Sequence, residues 1–524
     1  MTIQVGMMDE NPQINAESMT LEQKIGLMCV VGIPSYQVEK SFYEAIEQRH
    51  YGGIGLFPHN ITNKEQVAQI NRDLQVYISQ FEKAVPYLIS IDEEGGTLSN
   101  FIDFFPTVPG NRAIGLANDP QLAYLSGRLI GSQLHSLGVM IDWAPVLDVN
   151  TNPLNPVIGV RSYGEDPAIV AEYGTAFMKG MRESGVLTTA KHFPGHGDVH
   201  ADSHVELPSC ELTLEQLYQE ALIPFQHAIA SGIDAIMTAH LVFPNIPASN
   251  QLPASLSPYF INQLLRQDLG YDGVICTDDI EMHAIKNNYI PEEIGVMAVQ
   301  AGNDQILMCH TPEFQNKVYD GILQAVQTGV ISEDRINQSI RRILKLQQSM
   351  KRCRAEASPI PSSEWEELAL RIAESSIVID RDPAQLLPLK EQKYLLILPE
   401  SQKLTQADTT YTKELSLAKW LSESQVRYDI VYTSMEPSPE ERLEIERQLA
   451  EVDAVIQVTR NAHMFRNQVA VAEMCAQRKP HICLIIRNPY DAEYLPKEST
   501  VVQICSATDE SMKVLCKRFL RGGC

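Results

Sequence analysis

Short apolar runs alternate with stretches of helical periodicity from about residue 19 to residue 350. Apolar runs of this kind are typical of buried strands, whereas apolar residues spaced three and four apart are typical of amphipathic helices. Strands are predicted at 25–33, 53–57, 87–92, 139–145, 186–193, 235–243, 273–278 and 304–309. Helices are predicted between them, for example at 65–84, 122–138, 215–232 and 257–270. Eight such alternations favour a (β/α)8 TIM-type barrel over an open sheet.

Polar side chains stand at or just past the ends of several predicted strands: Asp92, Asp148, Lys191, His192, His240 and Asp278. In a parallel barrel the carboxyl ends of all strands lie on one face, so these side chains should converge on a single pocket. An open doubly wound sheet would instead favour a glycine-rich nucleotide loop after its first strand. The sequence contains neither a GxGxxG nor a P-loop pattern.

A second α/β series follows a Pro- and Ser-rich break at 358–364. Its predicted strands are 394–399, 428–433, 453–459, 481–487 and 501–505, and helical segments separate them. This pattern predicts a parallel sheet between two layers of helices. The resulting division is a catalytic barrel at 1–357, a linker at 358–372 and a smaller C-terminal α/β/α sandwich domain at 373–524.

Composition and charge narrow the class of protein. The chain is 44% hydrophobic and 21% charged, which is typical of a globular protein with ample core. Its net charge of −24 is spread along the sequence and disfavours nucleic acid and anionic membranes as partners. No secretory signal precedes the first helix, and no apolar run approaches the ~20 residues of a membrane span. Ten cysteines without a CxxC pair favour buried free thiols, so we predict a cytoplasmic protein with a small ligand.

The stretch KHFPGHGDVHADSH, residues 191–204, is the densest in reactive side chains. Its four histidines recur every four residues, which on a helix would form one face and suggest a metal site. Pro194, Gly195 and Gly197 argue against that helix, since proline removes a backbone donor and glycine favours open conformations. The stretch is therefore predicted to be a loop that leaves the end of a strand, a common place for catalytic residues.

Three reaction classes could use this set of residues. A zinc hydrolase would need well-fixed ligands, yet no HExxH helix is present, and a serine hydrolase would need a GxSxG elbow, which is also missing. Glycosyl transfer needs a carboxylate nucleophile, for which Asp278 is the candidate, although Asp278 or Asp279 could simply cap the next helix. It also needs a proton donor, for which Asp202 and His204 form a candidate pair. The alternative for that pair is an ordinary surface turn.

These motifs resemble glycoside hydrolase family 3, and within it the bacterial β-N-acetylglucosaminidases. KHFPGHG followed by DSH is similar to the signature loop of that subgroup. IDEEGG at 91–96, RSYGEDP at 161–167, AGNDQILM at 301–308 and TDDIEM at 277–282 resemble its other blocks in the same order. ESSIVIDRDPAQLLPLK resembles the start of the second domain of the family. The resemblance covers nearly the whole chain and is stronger in the barrel.

The resemblance implies a retaining, two-step reaction that needs no metal or cofactor. It gives Asp278 the role of nucleophile, and it makes His204, oriented by Asp202, the general acid/base. The residues that it implies for binding sugar are Asp92, Arg161, Lys191 and His192. Arg161 and Lys191 could otherwise serve only as counterions for carboxylates in the barrel. His196 and His200 receive no catalytic role and are expected to shape the loop.

One block departs from the subgroup, which usually reads EGGRVxR after the sugar-binding aspartate. This chain reads EGGTLSN, with Thr97 and Asn100 at the positions of the arginines. The leading hypothesis is a cytoplasmic exo-acting β-N-acetylglucosaminidase that hydrolyses cell-wall (muropeptide) fragments. The alternatives are a β-N-acetylglucosaminide phosphorylase or another family 3 β-glycosidase, and, from a different class, a non-catalytic sugar-binding protein. The oligomeric state and the contribution of the second domain to the site stay open.

Overall fold

The computed structural model describes residues 15–81, 86–200, 207–409 and 415–520. Eight parallel strands form the first sheet, in the spatial order β7-β6-β5-β4-β3-β2-β1-β8. They are β1 Cys29–Gly32, β2 Gly53–Leu56, β3 Leu88–Ile91, β4 Ile141–Asp142, β5 Leu187–Phe193, β6 Ala235–Thr238, β7 Val274–Thr277 and β8 Ile306–Met308. A parallel bridge between Cys276 and Gln305 joins β7 to β8 and closes the barrel. The predicted TIM-type barrel is therefore confirmed.

Helices surround the barrel and cover both faces of a second sheet. They are α1 Leu21–Leu27, α2 Lys40–Arg49, α3 Lys64–Ile78, α4 Asn111–Leu116, α5 Pro120–Leu137, α6 Pro167–Glu183, α7 Leu214–Gln219, α8 Ile223–Ala230, α9 His283–Lys286, α10 Pro291–Ala301, α11 Pro312–Gln327, α12 Glu333–Ala355, α13 Trp365–Ser376, α14 Leu417–Glu423, α15 Pro439–Gln448, α16 Asn467–Ala476 and α17 Asp509–Val514. Two further segments are π-helical, Tyr259–Asp268 and Leu515–Leu520.

The second sheet has six strands in the order β11-β10-β12-β13-β14-β9. They are β9 Val378–Arg381, β10 Lys393–Pro399, β11 Arg427–Thr433, β12 Ala454–Thr459, β13 His481–Ile485 and β14 Thr500–Gln503. Alternate residues of each strand face opposite layers: Leu396 packs with Leu421 of α14, and Leu395 packs in the cluster of Ile445 of α15. This arrangement confirms the α/β/α sandwich.

Three details of the predicted elements were wrong. Residues 25–27 belong to α1, because Thr20 and Gln23 form a capping box that starts a helix before the strand. The predicted helix at 215–232 is broken into α7 and α8, and Pro224 lies in the first turn of α8, where its missing N–H is tolerated. The second sheet is mixed, because β9 pairs antiparallel with β14.

Helix α13 connects the two domains. It starts inside the segment predicted as linker, and Trp365, Leu368 and Ile372 pack in the hydrophobic core of the barrel. One residue further along, Ala373 packs in the core of the second domain. The division at 358–372 stays a prediction, but part of that segment is a packed helix.

Candidate active site

The carboxyl ends of the barrel strands bring together the polar residues that the sequence predicted. Asp92 follows β3 directly, Lys191 and His192 lie within β5, and Asp278 follows β7 directly. All eight strands run parallel, so these ends share one face of the barrel. The side chain of Asp92 is 26% exposed and Asp278 is half-buried, so both carboxylates can be reached from solvent. Enough polar groups converge here to bind and transform a small polar ligand.

Lys191 lies at the centre of a charged cluster that consists of Asp92, Glu94, Arg161 and Lys191. Its Nζ is 2.5 Å from Oδ1 of Asp92 and 2.7 Å from Oε1 of Glu94. Arg161 makes a two-pronged ion pair with Glu94, with Nε to Oε2 at 2.9 Å and a terminal nitrogen to Oε1 at 2.7 Å. Such a fork fixes the direction of the guanidinium. Glu94 therefore orients both cations that the sequence assigned to sugar binding.

Burial and ion pairing set the charge states in this cluster. Burial alone would raise the pKa of Glu94, but Arg161 and Lys191 outweigh it and lower that pKa to about 2. Burial raises the pKa of Asp92, because Lys191 only partly compensates and the nearby Glu94 and Asp278 add to the rise. The pKa of Lys191 and that of Arg161 are raised, since neighbouring carboxylates outweigh their burial. Both cations stay charged, and Asp92 is the carboxylate most open to a ligand.

His192 is oriented by a buried aspartate. Its Nδ1 lies 2.7 Å from Oδ2 of Asp148, whose other oxygen accepts backbone N–H groups from His192 at 3.2 Å and His196 at 2.7 Å. Burial would raise the pKa of Asp148, but His192 and these hydrogen bonds lower it. An ionised Asp148 favours a proton on Nδ1 and leaves Nε2 of His192 for a ligand.

Asp278 is held by the backbone around it. Its N–H donates to the carbonyl of Thr238 at 3.0 Å, and its Oδ1 accepts the N–H of Asp279 at 2.8 Å. The carboxylate of Asp279 turns away, because it accepts the N–H of Glu281 at 2.9 Å and lies 3.1 Å from Nε2 of His310. The two adjacent aspartates therefore have different surroundings: Asp279 joins the loop after β7 to the end of β8, and Asp278 faces the common end of the barrel.

An aromatic rim on the β2, β4 and β8 side of the barrel was not predicted. The ring of Phe57 lies 4.9 Å from that of His310 and 6.3 Å from that of Trp143. Phe57 is half-buried, and His310 is exposed. The pKa of His310 is raised, because Asp279 hydrogen-bonds its ring. The position of Phe57 and His310 just after strands could have indicated the rim, but neither residue belongs to a carboxylate or histidine cluster in the sequence.

Asp202 and His204 lie outside the described residues, so the predicted acid/base pair stays a prediction. The part of their loop that is described ends at His200, whose Nδ1 lies 3.1 Å from Nδ2 of Asn152. His196 is buried, which lowers its pKa to about 4. Both histidines contact neighbouring loop residues, as expected for shaping the loop. Within the described ranges, no group of three His, Cys, Asp or Glu side chains is arranged as a metal site.

The block that departs from the subgroup pattern contacts the second domain. Thr97 is buried, and its carbonyl accepts the N–H of Thr409 at 2.9 Å. Thr409 also bonds Ser99 twice, at 2.9 Å each. Asn100 donates its side-chain amide to the carbonyl of Asp92 at 2.5 Å. Thr97 and Asn100, which occupy the positions of the expected arginines, thus form contacts between the domains and within the loop.

Two further observations concern the cysteines and the helices of the described residues. The nine cysteines of the described segments are all buried and unpaired. No helix in the described part of the chain is long and apolar enough to cross a bilayer.

Several known proteins are similar to this chain. The model of the glycosyl hydrolase family 3 N-terminal domain matches residues 20–346. A solved glycoside hydrolase family 3 β-N-acetylglucosaminidase from Paenibacillus sp. str. FPU-7 is 38% identical, with a TM-score of 0.88 over 96% of this chain and 97% of the other. Beta-hexosaminidase A of Pseudoalteromonas piscicida is 33% identical over 400 residues, 71% of this chain and 67% of the relative. A beta-hexosaminidase of Actinobacillus pleuropneumoniae serotype 5b (strain L20) is 34% identical over 303 residues, 56% of this chain and 84% of the relative.

Proposed function

This chain belongs to glycosyl hydrolase family 3, and from that premise we propose that it is a retaining exo-β-N-acetylglucosaminidase. The observation that carries the proposal is the half-buried Asp278 at the end of β7, on the same barrel face as the charged cluster around Lys191. The named relatives are beta-hexosaminidases and a β-N-acetylglucosaminidase. The substrate is accordingly a small glycoside with a terminal N-acetylhexosamine.

In the proposed first step, the Asp278 carboxylate attacks the anomeric carbon and forms a glycosyl ester as the bond to the leaving oxygen breaks. His204, oriented by Asp202, gives that oxygen its proton. In the second step His204 takes a proton from water, and the resulting nucleophile cleaves the ester with net retention. His204 is cationic before it gives up its proton and neutral afterwards, so it adds no second negative charge beside Asp278, which favours ionisation of the nucleophile.

The residues that we propose to bind the sugar lie mainly in the buried part of the site. Asp92 accepts hydrogen bonds from hydroxyls, Lys191 and Arg161 donate them, and Nε2 of His192 accepts one, because Asp148 keeps the proton of His192 on Nδ1. Because Glu94 and Asp148 already orient these side chains, little order has to be imposed when the sugar binds. The contacts therefore favour a glycone of one fixed orientation, as an exo-acting enzyme requires.

The test is a panel of chromogenic β-glycosides with purified protein. We expect release of nitrophenol from the N-acetylglucosaminide at a rate well above those from the glucoside and the xyloside. A preference for the glucoside would replace the proposal by another family 3 β-glycosidase, and no release from any substrate would favour a non-catalytic sugar-binding protein. Added phosphate should leave the product as free N-acetylglucosamine, whereas a sugar phosphate would identify a phosphorylase. EDTA should have no effect.

The acid/base role of His204 needs a test of its own. His204→Ala should lose most of its turnover on a substrate with a poor leaving group, such as a disaccharide. It should lose much less in the first step with a dinitrophenyl leaving group, which departs without a proton. Equal losses on both substrates would contradict proton donation by His204. Asp202→Asn should show the same pattern with a smaller loss.

We also propose that the natural substrates are cell-wall muropeptide fragments and that the enzyme acts in the cytoplasm. Nine buried free thiols support a reducing compartment. Incubation with purified muropeptides should release N-acetylglucosamine, detected by mass spectrometry, and fractionated cells should hold the protein with cytoplasmic markers. Cleavage of chitin disaccharides but not of muropeptides, or recovery outside the cytoplasm, would contradict this.

A further inference from the structure

Tyr490 of the second domain contacts the loop that carries Arg161. Tyr490 lies just after β13, in a short helical turn at Pro489–Glu493. Its hydroxyl accepts a hydrogen bond from Nδ2 of Asn150 at 2.9 Å and donates one to Oε1 of Glu165. Burial and the contact with Glu165 raise the pKa of Tyr490, so the hydroxyl keeps its proton and can donate. A side chain of one domain thus bonds two residues of the loop after β4.

Asn150 connects Tyr490 to the turn that ends in Arg161, because it hydrogen-bonds both of them. Its Oδ1 accepts the N–H of Gly159 at 3.0 Å, and its own N–H donates to the carbonyl of Gly164 at 3.0 Å. Gly159 opens the tight turn Gly159–Arg161. Arg161 then forms its fork with Glu94. An unbroken chain of hydrogen bonds and one turn of backbone therefore joins Tyr490 to the charged cluster.

A second residue of the same segment packs on this turn. A β-carbon built on Gly159 would lie 2.8 Å from Oδ1 of Asn488, too close unless the Asn488 amide moved. Gly159 also has a positive φ of 43°. The amide of Asn488 therefore lies directly against the backbone of the turn. His463 adds a third contact, with Nε2 at 3.0 Å from the carbonyl of Pro153.

We propose that Tyr490 is a positioning residue for sugar binding: through Asn150 and the turn at Gly159, it holds Arg161 where the guanidinium can meet both Glu94 and the substrate. The second domain is then part of the binding machinery although Tyr490 itself does not touch the sugar. Small displacements of a bidentate donor weaken its hydrogen bonds strongly, so the hydroxyl of Tyr490 acts mainly on substrate affinity. This inference rests on the proposed contact between Arg161 and the sugar.

The test compares Tyr490→Phe with Tyr494→Phe as a matched control. Tyr490→Phe removes one hydroxyl and keeps the ring, and Tyr494 is a 43% exposed tyrosine of the same segment that lies over Arg466. We expect KM for the nitrophenyl N-acetylglucosaminide to rise about tenfold in Tyr490→Phe with a much smaller change in kcat. Tyr494→Phe should match the wild type. An unchanged KM in Tyr490→Phe would overturn the inference.

A double-mutant cycle shows whether the effect passes through Arg161. Arg161→Gln alone should raise KM, and Tyr490→Phe should add nothing further in that background. An equal effect of Tyr490→Phe in both backgrounds would overturn the inference and leave the proposed function intact. An Arg161→Gln enzyme with wild-type KM would instead contradict the sugar contact itself, and the inference with it. If Tyr490→Phe is insoluble, Asn488→Ala removes the packing on Gly159 and is judged by the same KM cycle.

Discussion

Each domain holds a cluster of buried charge at the carboxyl ends of its parallel strands. In the barrel, two cations share two carboxylates, and Asp92 at the edge is 26% exposed. In the second domain, Arg460 directly after β12 and Arg487 two residues after β13 share the single carboxylate of Asp408. Those three side chains are at most 6% exposed.

The two clusters show that the carboxyl ends of parallel strands can serve two different purposes. The crevice beside β10 and β12, where the connections leave in opposite directions, is a usual place for ligands in an open α/β sheet. Here Arg460 donates to the carbonyl of Gln402, and Arg487 pairs with Asp408 at 2.9 Å, so the cations are used within the domain. Exposure distinguishes the two clusters: Asp92 of the barrel cluster is partly open to solvent, as the proposed binding of substrate requires, whereas the second cluster is buried and its charges pair within its own domain.

The largest expected effect concerns the barrel face. Asp278→Asn keeps the size of the side chain and its hydrogen bond to Asp279 but removes the proposed nucleophile. The kcat on a nitrophenyl N-acetylglucosaminide should fall by about 10⁴-fold or more, which kinetics at saturating substrate will measure. Thermal unfolding should change little, because Asp278 is only half-buried. Retention of more than a hundredth of the wild-type kcat would contradict the role of nucleophile.

The next largest effect is expected from a change of Glu94, which contacts both cations of the barrel cluster. Glu94→Gln removes the carboxylate that orients Lys191 and Arg161, both of which are buried. The kcat/KM should fall by roughly 10²-fold, and the free energy of unfolding should drop by about 3 kcal/mol, since two buried cations lose a partner. Steady-state kinetics and urea unfolding measure the two losses. A loss of stability without loss of kcat/KM would show that this cluster, like that of the second domain, only stabilises the fold.

The matched change in the second domain is Asp408→Asn. It leaves Arg460 and Arg487 without their shared carboxylate, so the free energy of unfolding should fall by about 3 kcal/mol. The kcat/KM of the folded enzyme should stay within about threefold of the wild type. Urea unfolding and kinetics at low temperature measure both. A loss of kcat/KM as large as that of Glu94→Gln would remove the distinction between the clusters.

The last prediction is a dependence of the unfolding free energy on pH, which distinguishes Glu93 from Glu94. Burial raises the pKa of Glu93 from 4.5 to about 7, whereas the cations lower that of Glu94 to about 2. Glu93 therefore stabilises the fold below about pH 4.5, and this contribution is lost as pH rises through about 7. The total is about 3 kcal/mol.

Glu93→Gln keeps a neutral side chain at every pH and so removes this dependence. The difference in unfolding free energy between the variant and the wild type should shift in favour of the variant by up to about 3 kcal/mol from pH 4.5 to pH 8. Urea unfolding across that range measures it. No shift, or a shift in the opposite direction, would show that folding does not raise the pKa of Glu93.

The sequence was sufficient to predict the barrel and many of the polar side chains at its strand ends, for physical reasons that particular residues illustrate. Asp92, Lys191 and Asp278 could be found because each ends or follows an apolar strand, and parallel strands bring their ends together. Glu94 was missed, because its partners Arg161 and Lys191 are 67 and 97 residues away and its neighbours suggest a turn. Tyr490 lies 340 residues from Asn150, and only the packing of the domains brings them into contact.

One strand of the second domain could not be predicted for a similar reason. β9 was not predicted, because the strand is short and largely exposed and its antiparallel partner β14 is more than a hundred residues away. The exposed His310 and half-buried Phe57 were missed because the aromatic rim has no local pattern. Local periodicity predicts which segments are strands and helices, but pairings between distant segments depend on tertiary packing.

The proposed mechanism depends on a covalent bond between Asp278 and the sugar. The direct measurement uses a 5-fluoro-N-acetylglucosaminyl fluoride, which slows the second step, followed by proteolysis and tandem mass spectrometry of the trapped enzyme. We expect one added glycosyl group per chain, on the peptide that contains Asp278, and none in Asp278→Asn. A label on another residue, or turnover of the natural substrate with inversion and no label, would contradict it.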